Sequence, residues 1–152
     1  PAVVPVVVPA VVPGVVPGVV PAVVPGVVPA VVPGEDMTRK TIVRKLDTLF
    51  GQRTRRLYAG KCPLCRKKRV ECCFHFVTRT KYSVRWDPDN AIGSCKGCNY
   101  RYEFDPHFAI LYYIDRFGLE AYRGLVAQSG RRTNYSMSNL EARLVLAQAG
   151  GQ

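Results

Sequence analysis

Two short cysteine pairs, Cys62-Pro63-Leu64-Cys65 and Cys95-Lys96-Gly97-Cys98, limit what this chain can fold into more than any other feature. Each C-x-x-C turn presents two thiolates at the spacing a tetrahedral ion requires, and the stretch between the turns lets them converge on one ion. The spacing therefore predicts a structural Zn²⁺ held by Cys62, Cys65, Cys95 and Cys98. Disulfides are the competing reading. They fit poorly with so many lysines and arginines and with the lack of any segment resembling a signal peptide. Cys72 and Cys73 are further thiols that burial or redox chemistry explains as well as ligation, so they are not counted as ligands.

Composition divides the chain in two. Residues 1–34 contain only Pro, Val, Ala and Gly, with proline at every fourth position from Pro1 to Pro33. A proline at that interval removes backbone donors and clashes with the preceding turn, so no continuous helix forms, and without one the carbonyls would be unsatisfied in lipid. The block is thus no membrane span. Its Val-Pro-Gly-Val units resemble elastin-type sequence and predict a disordered low-complexity segment over 1–36. It is read as an upstream extension with no part in the chemistry, an elastic or self-associating tail being the alternative. The chain has 22 basic and 11 acidic residues; Glu35 and Asp36 precede Met37, as does no base, so residues 37–152 carry a net +13. That length suits one small domain with a modest core reinforced by metal. Its charge, grouped as Arg53, Arg55 and Arg56 and as Arg66, Lys67, Lys68 and Arg69, points to a polyanionic partner, foremost nucleic acid, bound through salt-sensitive phosphate contacts.

Periodicity places a short amphipathic helix over 38–50, with Ile42, Val43, Leu46, Leu49 and Phe50 on its apolar face and Gly51 as its stop. Residues 69–79 are rich in β-branched and aromatic types and read as a strand or hairpin arm. Asp87-Pro88-Asp89-Asn90 reads as a turn. Asp105-Pro106 opens a helix that runs to Gly118, with Asp105 as N-cap. A further helix covers 119–128, and Ser138 with Glu141 forms a capping box for a last one. The order of knuckle, hairpin, second knuckle and helix describes an α+β fold: a small treble-clef zinc module with a ββα-metal core and flanking helices.

The run Cys-x-x-Cys, a strand carrying His75-Phe76, Asp87-x-x-Asn90, and Cys95-x-x-Cys98-Asn99 resembles the HNH endonuclease superfamily. It is most similar to the lambdoid phage NinG (Rap) family of recombination endonucleases, in Cys73-Phe74-His75-Phe76, Asn90, Cys95, Cys98-Asn99 and Tyr112-Tyr113-Ile114-Asp115-Arg116-Phe117-Gly118. The likeness covers 57–146. Phage endonuclease VII is similar in placing an asparagine directly after its last zinc cysteine. The resemblance implies a metal-dependent DNA endonuclease acting on branched recombination intermediates such as Holliday junctions and D-loops. It further implies 5′-phosphate and 3′-hydroxyl products, a possible homodimer, and a phage-encoded protein in the cytoplasm of a bacterial host. Many members of the superfamily have Asp or His before the catalytic histidine, where this chain has Phe74.

Phosphodiester hydrolysis needs an activated water and neutralisation of the leaving oxygen. His75 is the candidate general base, since a neutral imidazole takes a proton near pH 7. Asn90 is expected to orient its ring by a hydrogen bond, as the middle residue of the HNH pattern does. Asn99 and Asp105 offer hard oxygen ligands to a catalytic Mg²⁺ or Mn²⁺, with His107 a further ligand at the same helix start and Glu71, Asp87 or Asp89 available to complete the shell. Arg79 and Arg85 are expected phosphate clamps, and Arg66, Lys67 and Lys68 further DNA contacts. Tyr100, Tyr102, Phe104 and Phe108 serve either base stacking or the core. Two alternatives stay open: a zinc module that binds DNA without cutting it, and an HNH nuclease acting on ordinary duplex.

Overall fold

The computed structural model of the protein describes residues 37–150, so the expected disorder of 1–36 lies outside the described residues. Among these residues, helix α1 (Arg39–Leu57) leads into a loop bearing the first cysteine pair. Strands β1 (Cys72–His75) and β2 (Ala91–Ser94) follow, then α2 (Lys96–Arg101), α3 (His107–Phe117), α4 (Leu119–Ser129) and α5 (Met137–Ala149). The class is α+β, as expected.

The two strands pair antiparallel, with Cys72 opposite Ser94, Phe74 opposite Ile92 and His75 opposite Ala91. The strand expected over 69–79 is therefore short, preceded by a single bridge between Lys61 and Arg69. Pairing ends at His75 because Asn90 takes over the chain beyond it: its carbonyl accepts from Phe76 N–H at 3.0 Å and its side-chain Oδ1 from Val77 N–H at 2.7 Å. The Asp87–Asn90 turn is a 3₁₀ turn over Pro88–Asn90, capped by the Asp87 carboxylate accepting from Asp89 N–H.

Helix α1 starts at Thr38, whose hydroxyl accepts from Thr41 N–H, and runs past the expected stop at Gly51. Gly51 is buried with Cys73 beyond it: a Cβ added there would lie 3.7 Å from Cys73 Cβ. The helix continues through Gly51 because tertiary packing outweighs the roughly 1 kcal/mol a glycine costs in mid-helix. Helix α5 is capped by Ser136, accepting from Asn139 N–H, rather than by the expected Ser138–Glu141 box. Helix α3 has Pro106, one residue later than expected, at its N-cap position, while the Asp105 carboxylate still meets the backbone N–H of Phe108 in the first turn.

One core surrounds the sheet: Phe74, Phe76, Val84, Ile92, Ala109, Tyr113 and Leu125. Its rings meet edge to face, Phe74 on Phe76, Phe76 on Tyr113 and Tyr102 on Phe74, the geometry the ring quadrupole favours. A second core joins α1 to α5 through Ile42, Val43, Leu46, Leu140 and Leu144. Tyr102, which donates to Phe76 O, and Phe108 pack against the first core, while Tyr100 and Phe104 are exposed.

Gly93 sits where β2 passes under the end of α1. A Cβ there would lie 2.6 Å from Tyr58 Cβ and 2.7 Å from Val70 Cγ1, closer than van der Waals contact allows. Neither neighbour is the free end of a flexible side chain. Gly93→Ala is therefore expected to destabilise the fold by about 1–3 kcal/mol through overpacking, read as a lower urea midpoint at unchanged zinc content.

Candidate metal centre

The first cysteine pair lies in a tight loop closed by the Lys61–Arg69 bridge. Cys62 N–H donates to Lys68 O and Arg66 N–H to Cys62 O, both at 2.7 Å. Arg66 turns the loop with φ 55°, the one non-glycine residue with positive φ among those described. The second pair sits at the start of α2. Cys95 is the N-cap residue, and its sulfur accepts from Cys98 N–H. The β hairpin brings the two pairs together: the four sulfurs all lie within 4.8 Å of one another, and Cys65 Sγ is 3.8 Å from Cys95 Sγ. A tetrahedral ion at ~2.3 Å from each sulfur sets its ligands about 3.8 Å apart. All four cysteines are free thiols.

Electrostatics favours the same occupant. The backbone N–H groups of Lys68 and then Lys67 lower the Cys65 thiol to about 6, so one thiolate is preformed. The Cys98 thiol is pushed the other way, first by burial and then by Cys95 and Cys65 beside it. Four ionised sulfurs in so small a space need a cation among them. A soft-ligand, four-thiol set fits Zn²⁺. Among the described residues it is the one cluster of three or more His, Cys, Asp or Glu ligands.

His75 ends β1, opposite the residue that opens β2. Its Nε2 lies 3.2 Å from the Arg85 carbonyl oxygen. A carbonyl only accepts, so Nε2 carries the proton and Nδ1 is left as the acceptor. The Phe50 ring of α1 lies 5.7 Å from the imidazole, centroid to centroid. Burial is the main reason that the His75 pKa falls to about 4, opposed by the Arg85 carbonyl bond, so the ring is neutral at pH 7.

Asn90 does not hold this ring. Its side chain, fully buried, accepts from Val77 N–H and donates to Val77 O and Val84 O at 2.9 Å each. It ties together Val77 and Val84, the two ends of the loop that leads to Arg85, and the expected Asn90–His75 bond is replaced by one to a backbone carbonyl. Arg85 is likewise not available as a phosphate clamp. Its Nε and Nη2 donate to Asp47 Oδ1 and Oδ2 at 2.9 and 2.6 Å, and its Nη1 to Arg79 O at 2.9 Å. A half-buried guanidinium next to a carboxylate gains more from this fork than from facing solvent.

The remaining candidates are placed as follows. Arg66, Lys67 and Lys68 are exposed on the cysteine loop, and Arg79 is exposed beyond β1. Asn99 is half-buried on α2, directly after Cys98, and His107 is exposed at the start of α3. The Asp105 carboxylate is engaged by Arg101 at 2.6 and 3.1 Å, and that guanidinium holds its carboxyl below the usual range. Of the other acids, Glu71 pairs with Lys96 at 3.7 Å, Asp87 accepts from Gln128 at 2.9 Å, and Asp89 is raised by burial and then by Asp87.

Sequence reasoning missed Asp47. Its one visible signal is that it is the sole acid in α1, among many bases. It also missed a cleft of about 470 Å³ between α1 and α5, bordered by Leu49, Phe50, Trp86, Arg53, Arg56 and Arg143. None of the sequence-predicted site residues lines it, but Phe50 connects it to the His75 ring.

Searches against protein-family models, curated proteins and solved structures found no match for this chain. The structure alone therefore defines the class: an α+β protein with a four-cysteine cluster that could hold a metal ion such as zinc.

Freshly purified, unchelated protein is expected to contain one zinc ion per chain by elemental analysis. Cys98→Ser should lose most of it and melt at a lower temperature, because in so small a domain metal binding is folding energy. His75 predicts a pH effect. Its folded pKa of about 4 lies below the unfolded value of ~6.5, so the unfolded chain binds the extra proton between them. This contribution is complete above pH 6.5 and is lost as pH falls towards 4, about 2 kcal/mol of a total near 3 having gone by pH 5. Urea titrations at pH 7 and pH 5 should show a smaller loss in His75→Gln than in wild type by about that amount.

Proposed function

We propose that the protein is a zinc-stabilised, divalent-metal-dependent DNA endonuclease of the HNH type, with the hairpin, cysteine pairs and α2 serving as its treble-clef, ββα-metal core. The observation that carries this reading is the state of His75: a neutral imidazole held by a carbonyl at Nε2, with Nδ1 left to accept a proton. It lies on a hairpin whose return strand runs straight into Cys95. Asn99, two residues further along the chain than Gly97 and on the same short helix, Asp105 and His107 are the candidate ligands for a catalytic Mg²⁺ or Mn²⁺.

In this reading His75 Nδ1 takes a proton from the attacking water, and the resulting hydroxide displaces the 3′ oxygen at phosphorus. The bound divalent ion would neutralise charge on the phosphate and the departing oxygen. The products are a 5′-phosphate and a 3′-hydroxyl. Arg66, Lys67, Lys68 and Arg79 supply phosphate contacts, and the arginines around the cleft beside Phe50 extend the basic surface. The sequence resemblance to NinG (Rap) enzymes favours branched DNA, such as Holliday junctions and D-loops, over plain duplex. It also favours a homodimer for symmetric cutting and the cytoplasm of a phage-infected bacterium as its setting. Among the described residues, no helix is long and apolar enough to cross a membrane.

A second reading, a zinc module that binds DNA without cutting it, is favoured by the low basicity of His75. One experiment separates the two. With Mg²⁺ or Mn²⁺, wild type should cut labelled four-way junctions and D-loops faster than linear duplex, and His75→Ala should cut at least 100-fold more slowly. Both proteins should bind junctions with similar, strongly salt-dependent affinity. Binding without cleavage by wild type would favour the second reading, and cleavage by His75→Ala at the wild-type rate would remove His75 as base.

A further inference from the structure

The peptide unit whose carbonyl grips His75 is anchored from both sides by one carboxylate. Arg85 donates two bonds to Asp47, Nε to Oδ1 and Nη2 to Oδ2. The next residue, Trp86, donates its Nε1–H to the same Oδ1 at 2.9 Å. The side chains that flank the Arg85–Trp86 peptide bond thus converge on Asp47, and the carbonyl of that bond accepts from His75 Nε2. The third bonding nitrogen of Arg85 is held by Arg79 O, so the guanidinium has no slack. Asp47 and Arg85 side chains are 22% and 16% exposed, which shields the pair from solvent screening. Burial alone would raise the Asp47 carboxyl, but the bonds from Arg85 and Trp86 outweigh it and keep it ionised. One turn along α1, Phe50 lies against the imidazole.

We propose that Asp47 is a positioning residue for His75: by fixing the Arg85–Trp86 peptide it holds the imidazole as its Nε2–H tautomer, with Nδ1 directed to the reaction. The proposal rests on the reading of His75 as the base. Helix α1, outside the cysteine-bearing hairpin, thereby becomes part of the catalytic apparatus. A carboxylate is required because three donors share its two oxygens; an amide offers one acceptor oxygen and sets an N–H group against the guanidinium.

The test uses the full zinc-loaded chain. It has two histidines, so long-range ¹H–¹⁵N spectra of the rings are readily assigned by comparison with His75→Gln. Wild type should show His75 as the Nε2–H form at pH 7. Asp47→Asn should show a mixture of both tautomers at unchanged zinc content and far-UV circular dichroism. Its kcat for junction cleavage should fall about 10- to 100-fold, the range for groups that orient a catalytic ring, with KM within threefold of wild type. Asp47→Glu should restore part of both readouts. In a double-mutant cycle, Asp47→Asn should add little to Arg85→Gln. An Asp47→Asn protein that retains zinc and a pure Nε2–H ring would overturn the proposal. If that variant does not take up zinc, Trp86→Phe decides instead: a partial tautomer shift supports the proposal and an unchanged ring refutes it. Should wild type prove unable to cut any DNA, the nuclease reading falls, while the ring spectra still decide whether Asp47 positions the imidazole.

Discussion

Four sulfurs, drawn from two segments far apart in the chain, converge to within 4.8 Å of one another, and the rest of the domain hangs from that constraint. One thiol is shifted down by backbone N–H groups and another up by burial and its neighbours, and a soft cation among them would let all four ionise. An ion at the centre of the cluster would close the loop before β1 onto the helix after β2. The hairpin between them is only four residues per strand and could not hold its own register in water. Clamped at the base by the cysteines and at the tip by Asn90, it sets His75 opposite Ala91.

The second support is α1. Its C-terminal end passes the sheet closely enough to require glycine at 93, and along its length it packs on α5. From one face it supplies Asp47 to the loop and Phe50 to the imidazole. His75 is therefore enclosed by three independent parts of the chain: its own strand, the Arg85 loop and a helix. Enclosure fixes the tautomer but lowers the basicity of the ring, because burial disfavours the charged form. An imidazole held in this way gains geometry at the expense of proton affinity. An ion or phosphate bound close by would alter that balance further.

The parts that could be read from the residues were those governed by local rules. The cysteine spacing named the ligands of the cluster. The apolar periodicity located α1, α3 and α4, and Asp-Pro-Asp-Asn gave its turn. Local rules failed where distant neighbours intervened. Gly51 reads as a stop and is instead a contact surface for Cys73. Ser138–Glu141 satisfies a capping pattern, yet Ser136 caps that helix; the Asp105 carboxylate, beside the Phe108 backbone N–H, is also gripped by Arg101. Arg85 looks like a phosphate ligand only while Asp47, thirty-eight positions earlier, is out of sight.

The sequence by itself determined the four candidate metal ligands, the α+β content and the basic surface, because each depends on residue type and short spacing. Tertiary structure alone decided which polar groups were already spent. It bound Arg85 to Asp47, turned Asn90 towards the backbone and gave His75 a carbonyl instead of an amide. The reason is physical: a buried hydrogen-bonding group must find a partner, and which partner it finds depends on segments that only folding brings together.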